Sequence, residues 1–132
     1  MALPPFPDLA ALVGRVALGA LFLTHGWPKL KDVKKPIAWV TGTGWPGGAA
    51  FAILFTLLEF FGAIALIIGL LTQIVAVLFV LEMLATTIFV KTKMKGKFRG
   101  GYELDLAFAA FALVVALLGP GAWSLDRILG LA

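Results

Sequence analysis

The chain contains no cysteine. That excludes disulfides, thiolate metal sites, cysteine-ligated iron–sulfur clusters and covalently attached c-type haem. A single histidine is present, so a multi-histidine metal centre is excluded, as is a bis-histidine haem from this chain alone. Redox chemistry would need a borrowed cofactor or another subunit. Charge is scarce too: 14% of residues are charged, against about a quarter in ordinary soluble domains. No phosphate loop, nucleophile elbow or metalloprotease signature occurs. The first residues, Met-Ala-Leu-Pro-Pro-Phe-Pro-Asp, lack the basic n-region of a cleavable signal, so the first apolar run is expected to be retained.

What fills the 132 residues instead is apolar surface: 61% hydrophobic side chains and a mean hydropathy of +1.04. A membrane span needs roughly 20 apolar residues. Four runs qualify, at about residues 9–27, 49–70, 72–90 and 104–118. The composition therefore predicts one all-α domain, an antiparallel four-helix bundle in the membrane. The net charge of +4 falls in loops beside the spans, where topology and anionic lipid explain it better than nucleic acid does.

The first span is expected to start behind Asp8 as N-cap and to kink or stop at Pro28, which lacks an amide hydrogen. Its face Ala11, Gly14, Arg15, Leu18, Gly19, Phe22, His25 and Gly26 is predicted to look into the bundle. Glycine and proline punctuate the following linker, where Pro36 to Val40 suits a short interfacial helix with Trp39 and Trp45 at headgroup level. The second span carries Glu59 on a face with Ala52, Thr56, Ala63 and Leu66. The third carries Glu82 among Val75, Phe79, Ala85, Thr86 and Phe89, and the short turn between them predicts a hairpin. Asp105, Ala109, Ala112, Ala116 and Gly119 make a small-residue stripe on the fourth. The lysine-rich loops 29–48 and 91–102 share one side, so the positive-inside rule places them in the cytoplasm and both termini outside.

Charges inside a span are expensive and seek partners. Arg15 is expected to serve as counter-ion to Glu59 and Glu82, and with two acids against one base one glutamate is expected to stay protonated. His25, Tyr102, Glu103 and Asp105 are expected to form a second cluster at the cytoplasmic ends of spans one and four. Both groups allow two readings. The deeper is a register-fixing salt bridge or a proton-linked or quinone-binding site. His25 is a packing residue at the interface, or a proton carrier, quinone hydrogen-bond donor or haem ligand.

These residues also resemble a known family. Arg15 to Leu30, with Leu-Gly-x-Leu-Phe-x-x-His-Gly-x-x-Lys-Leu, is similar to the opening span of the DoxX family. Gly44-Trp-Pro, Leu58-Glu59-Phe-Phe-Gly62 and Ile67-Ile-Gly69-Leu-Leu-Thr72 resemble its second span and turn. Gly100-Gly101-Tyr102-Glu103 and Gly119-Pro-Gly-x-Trp123-Ser124-Leu-Asp126 resemble the lead-in and exit of its fourth. Gln73 departs from the arginine that many members carry there. The resemblance covers about residues 9–130 and implies a four-helix membrane protein in the inner membrane of a bacterium or archaeon. It implies membership of a group that includes thiosulfate:quinone oxidoreductase subunits, proteins associated with terminal oxidases, and parts of oxidative-stress complexes. It carries over no catalytic residues.

The resulting expectation is a small subunit of quinone-linked electron transfer, with Arg15, His25, Glu59, Glu82, Tyr102 and Glu103 lining a site for quinone and no covalent cofactor. Its expected partners are lipids and either other membrane subunits or further copies of itself. The alternatives are a structural or assembly subunit without chemistry, and a proton-coupled transporter.

Overall fold

The computed structural model describes residues 3–132. Helix α1 (Pro7–Lys31) is followed by a short α2 (Lys34–Thr43), then α3 (Gly48–Ile68), α4 (Thr72–Thr92), α5 (Glu103–Leu118) and a single-turn α6 (Leu125–Ile128). There are four helices long and apolar enough to cross a membrane among the described residues, the fourth counted from Phe98 through the lead-in turn. Helix α1 packs most closely on α3, and α4 on α5; the α3–α4 hairpin contact is the lighter one. The start of α1, the α3–α4 turn and the segment after α5 lie at one end of the bundle, where Ala122 N donates to Asp8 Oδ1 and Asp126 N donates to Gly69 O. The two basic loops lie at the other.

The predicted faces are largely the buried ones. Ala11, Arg15, Leu18, Gly19, Phe22 and Gly26 are buried on α1, and Ala52, Thr56, Glu59, Ala63 and Leu66 on α3. On α5 the alanines 109, 112 and 116 are buried as a stripe. On α4 Met83 turns inward and Ala85 outward, reversing the expectation for Ala85, because 83 lies one turn beyond Phe79 on the buried face.

Three local expectations are corrected. Helix α1 starts at Pro7, whose missing amide costs nothing at the first helical position, and Asp8 makes no cap bond. It also runs through Pro28 to Lys31. Only one turn follows the proline, so a single helical hydrogen bond is forfeited, and Asp32 N donates back to Pro28 O to close the end. Trp45 is not at the surface: it is buried against Phe89, with ring centroids 4.5 Å apart, in an aromatic cluster that seats α2 on α3 and α4.

Candidate functional site

Arg15 is 1% exposed, yet neither glutamate touches it. Its Nε donates to Pro120 O at 2.9 Å, Nη1 to Leu66 O and Ile67 O at 3.0 and 3.2 Å, and Nη2 to Trp123 O at 2.6 Å. Leu66 and Ile67 stand in the last turn of α3, where carbonyls lack the regular helical partner (Leu66 O also accepts from Gly69 N at 3.1 Å), and Pro120 and Trp123 follow the end of α5. Helix α3 stops at Gly69, whose φ of +76° and missing Cβ let the guanidinium pass: a Cβ there would sit 2.7 Å from Arg15 Nη1. Beside this knot the Asp126 carboxylate accepts from Leu71 N at 2.6 Å and Thr72 N at 2.9 Å, fixing the start of α4. The expected Arg15 counter-ion role is thus overturned. Arg15 ties three helix ends together at the terminal side of the bundle.

The carboxylates meet elsewhere. A cavity of about 270 Å³ opens in the half of the bundle nearer the basic loops. Phe22, His25 and Lys29 of α1 line it with Glu59 of α3, Glu82 and Thr86 of α4, and Asp105 and Phe108 of α5. Trp39 and Val40 of α2 cover one side. Lys29 reaches back from the last turn of α1 and places Nζ 2.7 Å from Glu59 Oε2, the one salt bridge among the described residues. The Glu59 side chain is 6% exposed and that of Lys29 38%, so the lysine stem spans from the rim to the interior. Glu82 is 4% exposed; no N–H or O–H donor of the described residues reaches its carboxyl oxygens, and the carboxylate it faces is Glu59, close enough to share a proton with it. Thr86 spends its hydroxyl on Glu82's own backbone carbonyl.

Helix packing explains how Glu59 comes so near α1. A Cβ on Gly26 would stand 2.7 Å from Phe60 N and 2.8 Å from Glu59 C, and one on Gly19 2.7 Å from Ala63 O. These two glycines, seven residues apart on one face, let the α1 and α3 backbones approach closely at the level of the carboxylate.

The structure therefore brings together His25, Glu59 and Glu82 of the predicted site residues and separates them from Arg15, Tyr102 and Glu103. His25 is exposed at the cavity rim with its ring edge-on to Phe108, centroids 5.6 Å apart. Tyr102 packs on Phe98 in the turn before α5, and Glu103 accepts from Gly100 N at 2.7 Å, closing that turn. Both are occupied in the lead-in to α5, away from the cavity. Lys29 was expected only to mark the end of the span. The signal for its role lies in the sequence: it stands one turn after His25 on the glycine-bearing face. Among the described residues no group of His, Asp and Glu is arranged to hold a metal ion.

Comparison with known proteins agrees with this architecture. The DoxX family profile matches residues 10–92. The chain is 32% identical over 124 residues to the inner membrane protein YqjF of Escherichia coli, covering 92% of this chain and 93% of that one. It is 31% identical over 119 residues to a Bacillus subtilis protein named "Putative oxidoreductase CatD", covering 90% and 86%. A second E. coli inner membrane protein, YphA, is 30% identical over 122 residues, with 88% and 87% covered. No solved structure matches. The chain belongs to the DoxX family of small, multi-pass membrane proteins.

Proposed function

We propose that the chain is the membrane subunit of a quinone-linked oxidoreductase in a bacterial inner membrane, and that its cavity receives a quinone headgroup. The observation that carries this reading is Glu82. It lines the cavity, it is 4% exposed, and it faces the Glu59 carboxylate with no protein donor on either of its oxygens. Buried polar groups are nearly always satisfied, and an orphan of this kind calls for a ligand. A protonated Glu82 donates a hydrogen bond to a ligand carbonyl, and an ionised one accepts from a ligand hydroxyl. Phe22, Phe55, Phe108 and Trp39 give the cavity flat apolar walls that suit an aromatic ring. Its volume is slightly below the roughly 300–1,000 Å³ of small-molecule pockets, which suits a single substituted ring with its tail in lipid.

A bound quinone supplies an acceptor of electrons and protons; this chain supplies the binding and the protons. Lys29 holds Glu59 in place, Glu82 hydrogen-bonds the ligand, and His25 and Asp105 stand at the rim. Electrons come from a partner protein, since the chain lacks cysteine. The basic loops face the cytoplasm under the positive-inside rule. The name of the B. subtilis relative supports an oxidoreductase role.

Calorimetric titration of the delipidated protein in detergent with a short-tailed benzoquinone tests the reading. Saturable one-to-one binding is expected, with affinity lowered about tenfold by Glu82→Ala, the worth of one hydrogen bond. Absence of saturable binding to the native protein would overturn it.

A further inference from the structure

The ionisable side chains inside the bundle are not spread evenly along its axis. His25 lies six residues from the end of α1, Lys29 two, and Asp105 two residues into α5, all at the basic-loop end. Glu59 and Glu82 come next, each near mid-span. Beyond them towards the termini the chemistry changes abruptly. The Phe22 and Phe79 rings stack at 3.9 Å with planes 2° apart, and Phe108 leans on Phe22 at 5.2 Å. Below this plate Leu18, Ala63, Leu66, Ala76 and Ala112 are wholly inaccessible. Polar groups beyond it are Arg15, four of whose five N–H bonds go to carbonyls, and Thr72 and Gln73 at the start of α4.

Glu82 is thus walled off from the terminal side by packed apolar side chains and joined to the basic-loop side by a series of polar groups. The charged groups acting on it are Glu59 from α3, Lys29 from α1 and Asp105 from α5. His25, also of α1, lines the same cavity, and α2 contributes Pro36, Trp39 and Val40, none of which titrates. Asp105 of α5 lines the cavity with His25, which is exposed at its rim. An imidazole and a carboxyl at the mouth of the cavity are the groups through which a proton can enter it.

We propose that Glu82 exchanges its proton with the basic-loop side of the membrane alone, and that the His25–Asp105 pair at the cavity rim hands it over. The step balances simply. A proton from water binds at the rim and passes to the Glu82 carboxylate, leaving the rim pair ready for the next one; release runs the same path in reverse. Sided supply has a use where the cavity ligand gains or loses protons, so the inference rests on the quinone-binding reading. Of the cluster expected at the cytoplasmic ends of spans one and four, it uses His25 and Asp105 and leaves out Tyr102 and Glu103.

Infrared spectroscopy on oriented, sealed proteoliposomes tests this without any quinone, so its outcome is separate from that of the titration above. The carboxyl signal lost in Glu82→Gln identifies the group. After a rapid pH jump on one side, that signal is expected to follow pH on the basic-loop side and ignore the terminal side. In the doubly substituted His25→Gln, Asp105→Asn protein the response is expected to slow about tenfold or more, as for removal of a proton-transfer group. Helix content and the unfolding midpoint of that variant show whether it folds. His25→Gln alone, at an exposed position, is expected to slow the response as well. A response to the terminal side, an unslowed response in the variants, or the lack of any pH-sensitive signal assignable to Glu82 overturns the proposal.

Discussion

Lys29 and Glu59 meet at 2.7 Å although one belongs to the last turn of α1 and the other to the middle of α3. The pair fixes where the interior of the bundle becomes polar, and it leaves Glu82 beside Glu59 with no protein donor on its own carboxyl oxygens.

Removing one member of this pair strands the other. Lys29→Met is expected to destabilise the protein by about 1–3 kcal/mol, less than for a wholly buried pair because the lysine is partly exposed. Adding Glu59→Gln to Lys29→Met is expected to restore most of the loss, since no buried charge is then left unpaired. Thermal unfolding of the two variants in one detergent measures both. A double variant less stable than Lys29→Met contradicts the ion-pair account.

Arg15 holds the terminal end of the bundle. Arg15→Met removes the guanidinium from four carbonyls, of which Leu66 O alone keeps a backbone donor, Gly69 N, and a loss of about 3 kcal/mol or more is expected. Arg15→Lys is expected to recover only part of it, because an ammonium cannot span four acceptors as the planar fork does. Neither variant touches the cavity, so quinone affinity at a temperature where the protein stays folded is expected to be unchanged. Unfolding midpoints and titration read the two effects separately.

The close approach of α1 to α3 is expected to make Gly26 far more sensitive than Gly42. A Cβ at 26 collides with the α3 backbone at Glu59 and Phe60, whereas at 42 it meets nothing within 4 Å. Gly26→Ala is expected to cost about 1–3 kcal/mol and to weaken ligand binding by moving Glu59. Gly42→Ala, inside α2, is expected to be neutral or to stabilise by up to about 1 kcal/mol. Parallel unfolding curves distinguish them.

Hydropathy made the four spans legible, and helical periodicity made their inner faces so, because lipid leaves no other place for small and polar residues. The site was legible only in part. Pairing Arg15 with Glu59 and Glu82 assumed that a buried cation seeks the nearest acid. Gly69 and the Gly119-Pro-Gly121 exit mark helix ends whose orphan carbonyls serve a guanidinium equally well. Lys29 counts in the sequence as part of the basic loop 29–48, and only the continuation of α1 through Pro28 to Lys31 puts it on the helix face that meets Glu59. Asp105 was visible on its stripe, yet its cavity position depends on how α5 rotates against α4, and a helical period does not determine that angle. Tyr102 and Glu103 lie just before it, and their backbone turn consumes them.

The central claim is that the Glu82 cavity holds a quinone headgroup, and labelling with a photoreactive short-tailed quinone tests it most directly. Mass spectrometry of the labelled protein is expected to place the adducts on segments containing Phe22 to Lys29, Glu82 to Thr86 and Leu104 to Phe108, with unlabelled quinone competing them away. Adducts spread over the lipid-facing surface, or gathered around Arg15 and unaffected by competition, would contradict it.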